Sequence, residues 1–235
     1  MFRFIAHFIY LVLKDIVKYL EPEEVLPELE LTDLETDGIG ESIRCTLDYA
    51  EVEYTDTRLT TEQLHDIKTD LLYEQLPMLT INDMDDVVQS KAILRYVGRI
   101  TRTYPSKNPL FAALIDQWME LHSDFWMPIN MNLYPESYGL DWNGSVISSS
   151  PKKSHTEWII KTHVPKYLNF LNVNLEKSQW LGEMDEPSIA DFSWWPTLKW
   201  ISSGKFEGLD TNVIDEYEYV KLYMAQCEAS FAEYD

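Results

Sequence analysis

Apolar and polar residues change their spacing along this chain, and the changes divide it into three parts. From Phe2 to Leu20, apolar residues such as Phe4, Ile5, Phe8, Ile9, Val12, Ile16 and Leu20 recur at helical spacing, while Arg3, His7, Lys14 and Lys18 share one stripe. That pattern predicts an amphipathic helix with a wide apolar face. Residues 21–27, acidic and holding two prolines, read as a linker. The period then shortens. Residues 28–32 alternate as a strand, 37–40 form a Gly-rich turn, and 41–50 place Ile43, Leu47 and Ala50 on one helical face. A second strand is predicted over 52–57 and a weaker helix over 60–72. A hairpin follows over 76–88, then a helix over 90–103. The order βαβαββα is that of a thioredoxin-like α/β domain.

Tyr104-Pro105-Ser106 marks a boundary, and beyond it the period is helical throughout. Long helices are expected over 110–126 and 154–177, the latter bent at Pro165. An irregular stretch over 127–153, with Pro128, Pro135, Gly139, Gly144 and Pro151, separates them. Ser188 followed by Asp191 has the spacing of a capping box and opens a further helix, which Pro196 is expected to kink or split. A last helix spans 212–231. The expected domains are therefore 1–24 (apolar helix and linker), 25–105 (thioredoxin-like) and 106–235 (all-helical).

Charge narrows the partners. The chain of 235 residues carries a net charge of −21, which disfavours nucleic acid and any anionic surface met through a basic face. The charge is uneven. Residues 1–20 hold Arg3, Lys14 and Lys18 against Asp15, whereas residues 21–37 hold eight acids and no base. The N-terminal helix is interrupted by charge at 14–15, too early to span a bilayer cleanly. It also lacks the small-residue cleavage site of a signal peptide and the serines of a transit peptide. Three fates remain open for it: packing on its own body or dimer mate, docking into a larger protein assembly, or lying at a membrane surface. The two cysteines, Cys45 and Cys227, form no CxxC and fit reduced thiols in a reducing, cytoplasmic compartment, with an organelle or membrane association open. The five histidines are scattered and none forms a metal-ligating cluster with other side chains, so no metal is expected. The eight tryptophans all lie in the second half, where helical core explains them.

The most chemical segment is 75–99, QLPMLTINDMDDVVQSKAILRYVGR. An apolar strand carrying Leu76-Pro77 runs into a turn and a second strand, and Gln89-Ser90 then opens an amphipathic helix. A helix that begins with serine after a strand offers unpaired backbone N–H groups and a hydroxyl to an anion. A serine N-cap has the same sequence.

Several runs, in order and at matching spacing, resemble the cytosolic glutathione transferases of the tyrosine type (sigma, alpha and mu). They are Glu41-Ser42-Ile43-Arg44, Val52-Glu53-Tyr54-Thr55-Asp56, Gln75-Leu76-Pro77-Met78-Leu79 and Gln89-Ser90-Lys91-Ala92-Ile93-Leu94-Arg95-Tyr96, followed by Ala113-Leu114-Ile115-Asp116, Pro165-Lys166-Tyr167-Leu168 and Ser188-Ile189-Ala190-Asp191-Phe192. The resemblance covers about residues 28–230. It implies a thioredoxin-like domain followed by an all-helical one, glutathione as substrate or ligand, and a homodimer. It implies a cis bond at Leu76-Pro77 that turns the backbone of Leu76 toward the glutathione peptide. Gln75 belongs to the same motif. Gln89 and Ser90 are expected to hold the γ-glutamyl end, and Lys68 to contact glutathione. Asp116 is the acid a second subunit lends to this site.

The departures carry the functional weight. The family tyrosine that donates a hydrogen bond to the glutathione thiolate aligns with Asp33, and no tyrosine lies between Leu20 and Tyr49 to replace it. A phenol donates to a thiolate; an ionised carboxylate only accepts, and repels it. A family tryptophan aligns with Leu64 and a family glycine with Glu74. The sequence therefore favours a glutathione-transferase-like protein weakened or inactive in catalysis, a glutathione-binding or structural component docked through residues 1–20. The alternative is an active transferase or isomerase that joins glutathione to small electrophiles.

Overall fold

The computed structural model describes residues 26–36, 38–105, 107–140 and 150–231. The helix expected over 1–20, and with it every docking role assigned to that segment, lies outside the described residues. The N-terminal domain has the expected order. Strand β1 (Leu29–Leu34) leads to helix α1 (Gly40–Tyr49), β2 (Thr55–Leu59) and α2 (Thr61–Ile67), and β3 (Met78–Ile81), β4 (Asp85–Val88) and α3 (Ser90–Ile100) follow. The four strands lie in the order β2-β1-β3-β4; β1 runs parallel to β2 and antiparallel to β3, and β4 closes the edge as a hairpin with β3.

Burial explains which predicted elements hold. Helix α1 buries Ile43 and Leu47, and α3 buries Ile93, Leu94 and Val97, all in the core that also holds Leu31 and Leu79 of the sheet. Helix α2 buries no residue and rests on its capping box, in which Thr60 accepts from the Gln63 N–H and Gln63 accepts from the Thr60 N–H. Without an apolar face to dock it stops at Ile67, short of the expected residue 72, and two 3-10 turns, Lys68–Asp70 and Leu72–Glu74, complete the connection. The second strand begins three residues later than expected and ends two later, because its register is set by pairing with β1, Glu30 opposite Thr55 through Leu34 opposite Leu59.

The helical domain departs from expectation at its prolines. Helix α4 (Pro109–Leu133) passes through Pro128 without ending, and α7 (Ile189–Ile201) passes through Pro196. A proline inside a helix costs about 3 kcal/mol, and both helices bury enough to absorb it: Phe125 and Ile129 in α4, Trp194, Trp195 and Leu198 in α7. The predicted irregular stretch is thus shortened at both ends, by α4 running on to Leu133 and by α5 (Ser150–Trp158) starting at Ser150. The expected bend at Pro165 is instead a π turn, Ile159–His163, between α5 and α6 (Val164–Leu175). A wide turn accommodates the missing proline N–H, and it sets His163 Nε2 2.9 Å from the Phe125 carbonyl. The last helix, α8 (Glu218–Phe231), begins six residues later than predicted, after a series of turns.

The two domains meet along α1, α3 and α7. Ile189 donates its N–H to the Thr103 carbonyl at 3.2 Å. At Gly98 of α3 a methyl group would lie 2.7 Å from the Ile189 side chain and 2.8 Å from Tyr104, so only glycine permits this approach. Among the described residues, no helix is long and apolar enough to cross a membrane.

Candidate functional site

The sheet register gathers the candidate residues at one pole. Thr32 of β1 stands opposite Met78, and Met78 opposite Val88, so Asp33, Pro77 and Gln89 lie together at that end of the sheet. The Leu76-Pro77 bond is cis, as the resemblance implied. Gln75 and Gln89 are joined directly, Gln89 Nε2 donating to Gln75 Oε1 at 2.5 Å. Gln89 adopts φ 75° and ψ 104°, a conformation unfavourable for a side chain with a Cβ, immediately before α3 begins at Ser90. Backbone strain of this kind persists where neighbouring structure enforces it and concentrates at ligand sites. Here the Gln89 carbonyl accepts from Ala92 and Ile93 while its side chain is tied to Gln75.

Ser90 opens onto a cleft of about 380 Å³ between the domains. Ile39 and Ser42 of α1, Ser90, Lys91 and Leu94 of α3, and Met119, His122, Trp126 and Met127 of α4 form its walls. One end offers hydroxyls and the helix N-terminus, and the other is apolar. This combination suits a ligand with an anionic head and a greasy body.

Asp33 is buried, 7% exposed, and is absent from the walls of that cleft. Its carboxyl packs directly against Gly40, where any side chain would collide with it, and beside Arg44. Burial pushes its pKa up; a hydrogen bond from the Leu34 backbone and the Arg44 charge pull it down, and Glu41 and Asp56 push it up again. Arg44 itself is engaged elsewhere, with Nε 3.0 Å from Asp56 and Nη1 on Glu41. Asp56 also takes Arg58 Nε at 2.6 Å. The position that would activate a thiol is therefore part of a buried charge cluster.

The other candidates separate. Lys68 stands exposed on a 3-10 turn. Glu74 is exposed in a left-handed conformation, φ 55°. Asp116 is held within its own chain: Arg95 Nε lies 2.7 Å from it and the Tyr104 hydroxyl donates at 3.0 Å.

Sequence reasoning missed the cleft floor. His122 Nε2 lies 2.7 Å from Thr197 Oγ1, Trp126 Nε1 donates to the same oxygen at 2.9 Å, and Thr197 Oγ1 lies 3.1 Å from the Ser193 carbonyl. With the threonine proton on that carbonyl, His122 carries its proton on Nε2. Burial, then Lys91, depresses the His122 pKa to about 3, so the ring is neutral at physiological pH. A signal existed. Hydrogen-bonding side chains recur four residues apart, His122 with Trp126 and Ser193 with Thr197, which puts each pair on one face of its helix.

Residues 34–99 match the family model for the glutathione S-transferase N-terminal domain. The chain is 35% identical over 108 residues to glutathione S-transferase P of Caenorhabditis elegans, a match that takes in 44% of this chain and 51% of the relative. It is 33% identical over 100 residues to glutathione S-transferase 1 of Ascaris suum, covering 43% and 48%. In fold, prostaglandin synthase D of Nilaparvata lugens superposes with a TM-score of 0.72 at 25% identity, over 88% of this chain and 97% of that one. Residues 34–99 carry the glutathione S-transferase N-terminal domain, and the chain as a whole takes the fold of the cytosolic glutathione transferases. The sequence matches span about half the length of these curated relatives. A further family structure, the monomeric Na-GST-3 of Necator americanus, superposes with a TM-score of 0.69 at 20% identity over 88% of this chain and 95% of that one. As in the family, the thioredoxin-like domain of this transferase relative precedes the helical one, and family members use glutathione as substrate.

Proposed function

We propose that this chain holds glutathione without activating its sulfur. Gln75, Leu76, Pro77, Gln89 and Ser90 grip the γ-glutamyl end and the peptide backbone, with the γ-glutamyl carboxylate at the start of α3. Asp33 carries the second half of the proposal. Where a donor to the thiolate is needed, the chain has a buried carboxyl packed on Gly40 within a cluster of charges. A thiol of pKa about 8.5 is mostly protonated at neutral pH, and only a donor or a positive charge at sulfur changes that. Such a protein serves as a glutathione-binding or assembly component, with residues 1–20 as its docking segment and either a homodimer or a larger assembly as its setting. The Arg95 and Tyr104 bonds to Asp116 work against lending that acid to a second subunit.

Calorimetric titration with glutathione and a conjugation assay with 1-chloro-2,4-dinitrobenzene at pH 7 test the two halves separately. The expected result is binding with turnover at the uncatalysed rate; rapid turnover would overturn it. Asp33→Tyr is expected to raise turnover at least about tenfold, since a hydrogen bond to a charged group contributes about 1.5–3 kcal/mol. A second function, active conjugation or isomerisation of a small electrophile, is favoured by the apolar end of the cleft, where Leu94, Met119, Trp126 and Met127 leave room for a second substrate.

A further inference from the structure

The end of the sheet away from the cleft carries a groove of about 820 Å³, between the start of β1, the loop after α1 and the β3–β4 turn. The buried side chains of Leu29 and Val52 line it, and Leu26 adds an apolar group that is 42% exposed. Glu28, Glu51, Glu53 and Asp83 supply its charge. Among the described residues none of these four acids makes an ion pair, and no lysine or arginine lines the groove.

Two independent features bear on what fills it. The first is the field. Glu51 and Glu53 follow the C-terminal end of α1, whose last turn holds no basic residue. The carbonyls there form the negative pole of the helix, where a carboxylate is unfavourable and a cation is held. The second is the tether. Leu26 lines the groove, so residue 20, six residues earlier, reaches at most about 22 Å from it. Residues 1–20 carry three bases against one acid, on a chain whose net charge is −21. On the helix that their spacing predicts, Tyr10, Leu11, Lys14, Val17 and Lys18 share one face. That face combines apolar groups with cations, and the groove combines apolar groups with unpaired carboxylates.

We propose that residues 10–18 lie in the groove of their own chain, with Lys14 and Lys18 against Glu51, Glu53 and Asp83, and Leu11 and Val17 against Leu26 and Val52. The contact is intramolecular and follows a short connection, so it does not need the affinity that a separate partner would. The negative body steers the basic segment toward the place where its own carboxylates are crowded. The docking segment of the proposed function is thereby latched at the pole opposite the cleft, and a partner that captures it competes with the groove. The latch is independent of glutathione, so loss of glutathione binding leaves it standing.

Zero-length carbodiimide cross-linking of the full chain tests this, on an equal mixture of ¹⁴N- and ¹⁵N-labelled protein read by mass spectrometry. Links are expected from Lys14 or Lys18 to Glu28, Glu51, Glu53 or Asp83, within one isotopic chain and diminished by high salt. Amide exchange supplies a second measurement. The Glu53 and Tyr54 N–H groups have no backbone acceptor among the described residues. They should exchange at least about tenfold faster in Lys14→Glu/Lys18→Glu than in the native chain, because nothing then covers them. Adding Glu51→Lys/Glu53→Lys, which exchanges the charges, should restore the native rate. If that fourfold variant fails to fold, the cross-links of the native chain still decide. Links to acids elsewhere on the body, or exchange that Lys14→Glu/Lys18→Glu leaves unaltered, would overturn the proposal. Links found only between unlike isotopes would also overturn it, assigning the groove to a second copy.

Discussion

Asp191→Ala should be the most destabilising single change in the helical domain, by about 3–5 kcal/mol. Asp191 is completely buried at the start of α7. Its carboxylate accepts from the Leu181 N–H at 3.0 Å, the Ser188 N–H at 2.8 Å, the Ser188 hydroxyl at 3.1 Å and the Tyr223 hydroxyl at 3.1 Å. Truncation strands the first two donors and the tyrosine in a dry interior, each at about 1–3 kcal/mol, with partial re-pairing setting the sum below the maximum. Burial raises the Asp191 pKa from 3.8 to about 6, against the hydrogen bonds that lower it. The sign follows from that rise. The fold binds the proton more tightly than the unfolded chain, so this group imposes no penalty below pH 4, and stability falls as pH climbs through about 6. The gap from 3.8 to about 6 corresponds to about 3 kcal/mol across that window. Urea unfolding followed by tryptophan fluorescence at pH 4, 5, 6 and 7.5 measures both effects. Asp191→Ala should lose the full amount at pH 5, and Asp191→Asn should lose less and show a flatter pH dependence than the native chain. A loss under 1 kcal/mol for alanine, or an asparagine variant that follows the native slope, refutes the reasoning.

Gly40→Ala places a methyl group in the Asp33 carboxyl and should cost about 1–3 kcal/mol by overpacking. Combined with Asp33→Ala it should recover most of that, and additive losses in thermal melts would show that the two residues do not share space. Ser90→Ala should weaken glutathione about tenfold by calorimetry, since a charge-assisted hydrogen bond contributes about 1.5–3 kcal/mol; an unchanged Kd would remove Ser90 from the site. His122, with a folded pKa of about 3 below its ordinary 6.5, contributes stability that is complete above pH 6.5 and is lost as pH falls toward 3. NMR titration should find its ring neutral from pH 5 to 8, and a midpoint in that range contradicts the buried Thr197 bond.

Local chemistry made half of the candidate site's geometry legible. Leu76-Pro77, Gln89 and Ser90 occupy consecutive elements of a hairpin and helix start, so their spacing in sequence is their spacing in space. Asp33 was legible as a substitution, but its burial against Gly40 depends on how the loop after β1 folds back. The neutral His122 and its Thr197 partner come from helices about 75 residues apart, and only packing brings them together. The helix ends were misplaced where proline was given its local meaning. Pro128 and Pro196 sit in helices whose buried aromatic faces outweigh a lost hydrogen bond, and no local rule reports that burial.

The direction of β1 has a consequence for any partner that grips the segment before it. Glu28, just ahead of the strand, exchanges hydrogen bonds with Asn82 in the β3–β4 turn, at 3.0 Å and 2.9 Å, and the six-residue strand then runs to the pole of Asp33 and Gln89. At about 3.3 Å per residue, some 20 Å of sheet separates the point of attachment from the mouth of the cleft. Residue 26 thus lies at the opposite end of the sheet from the cleft, so a partner holding the chain there would leave the mouth of the cleft uncovered.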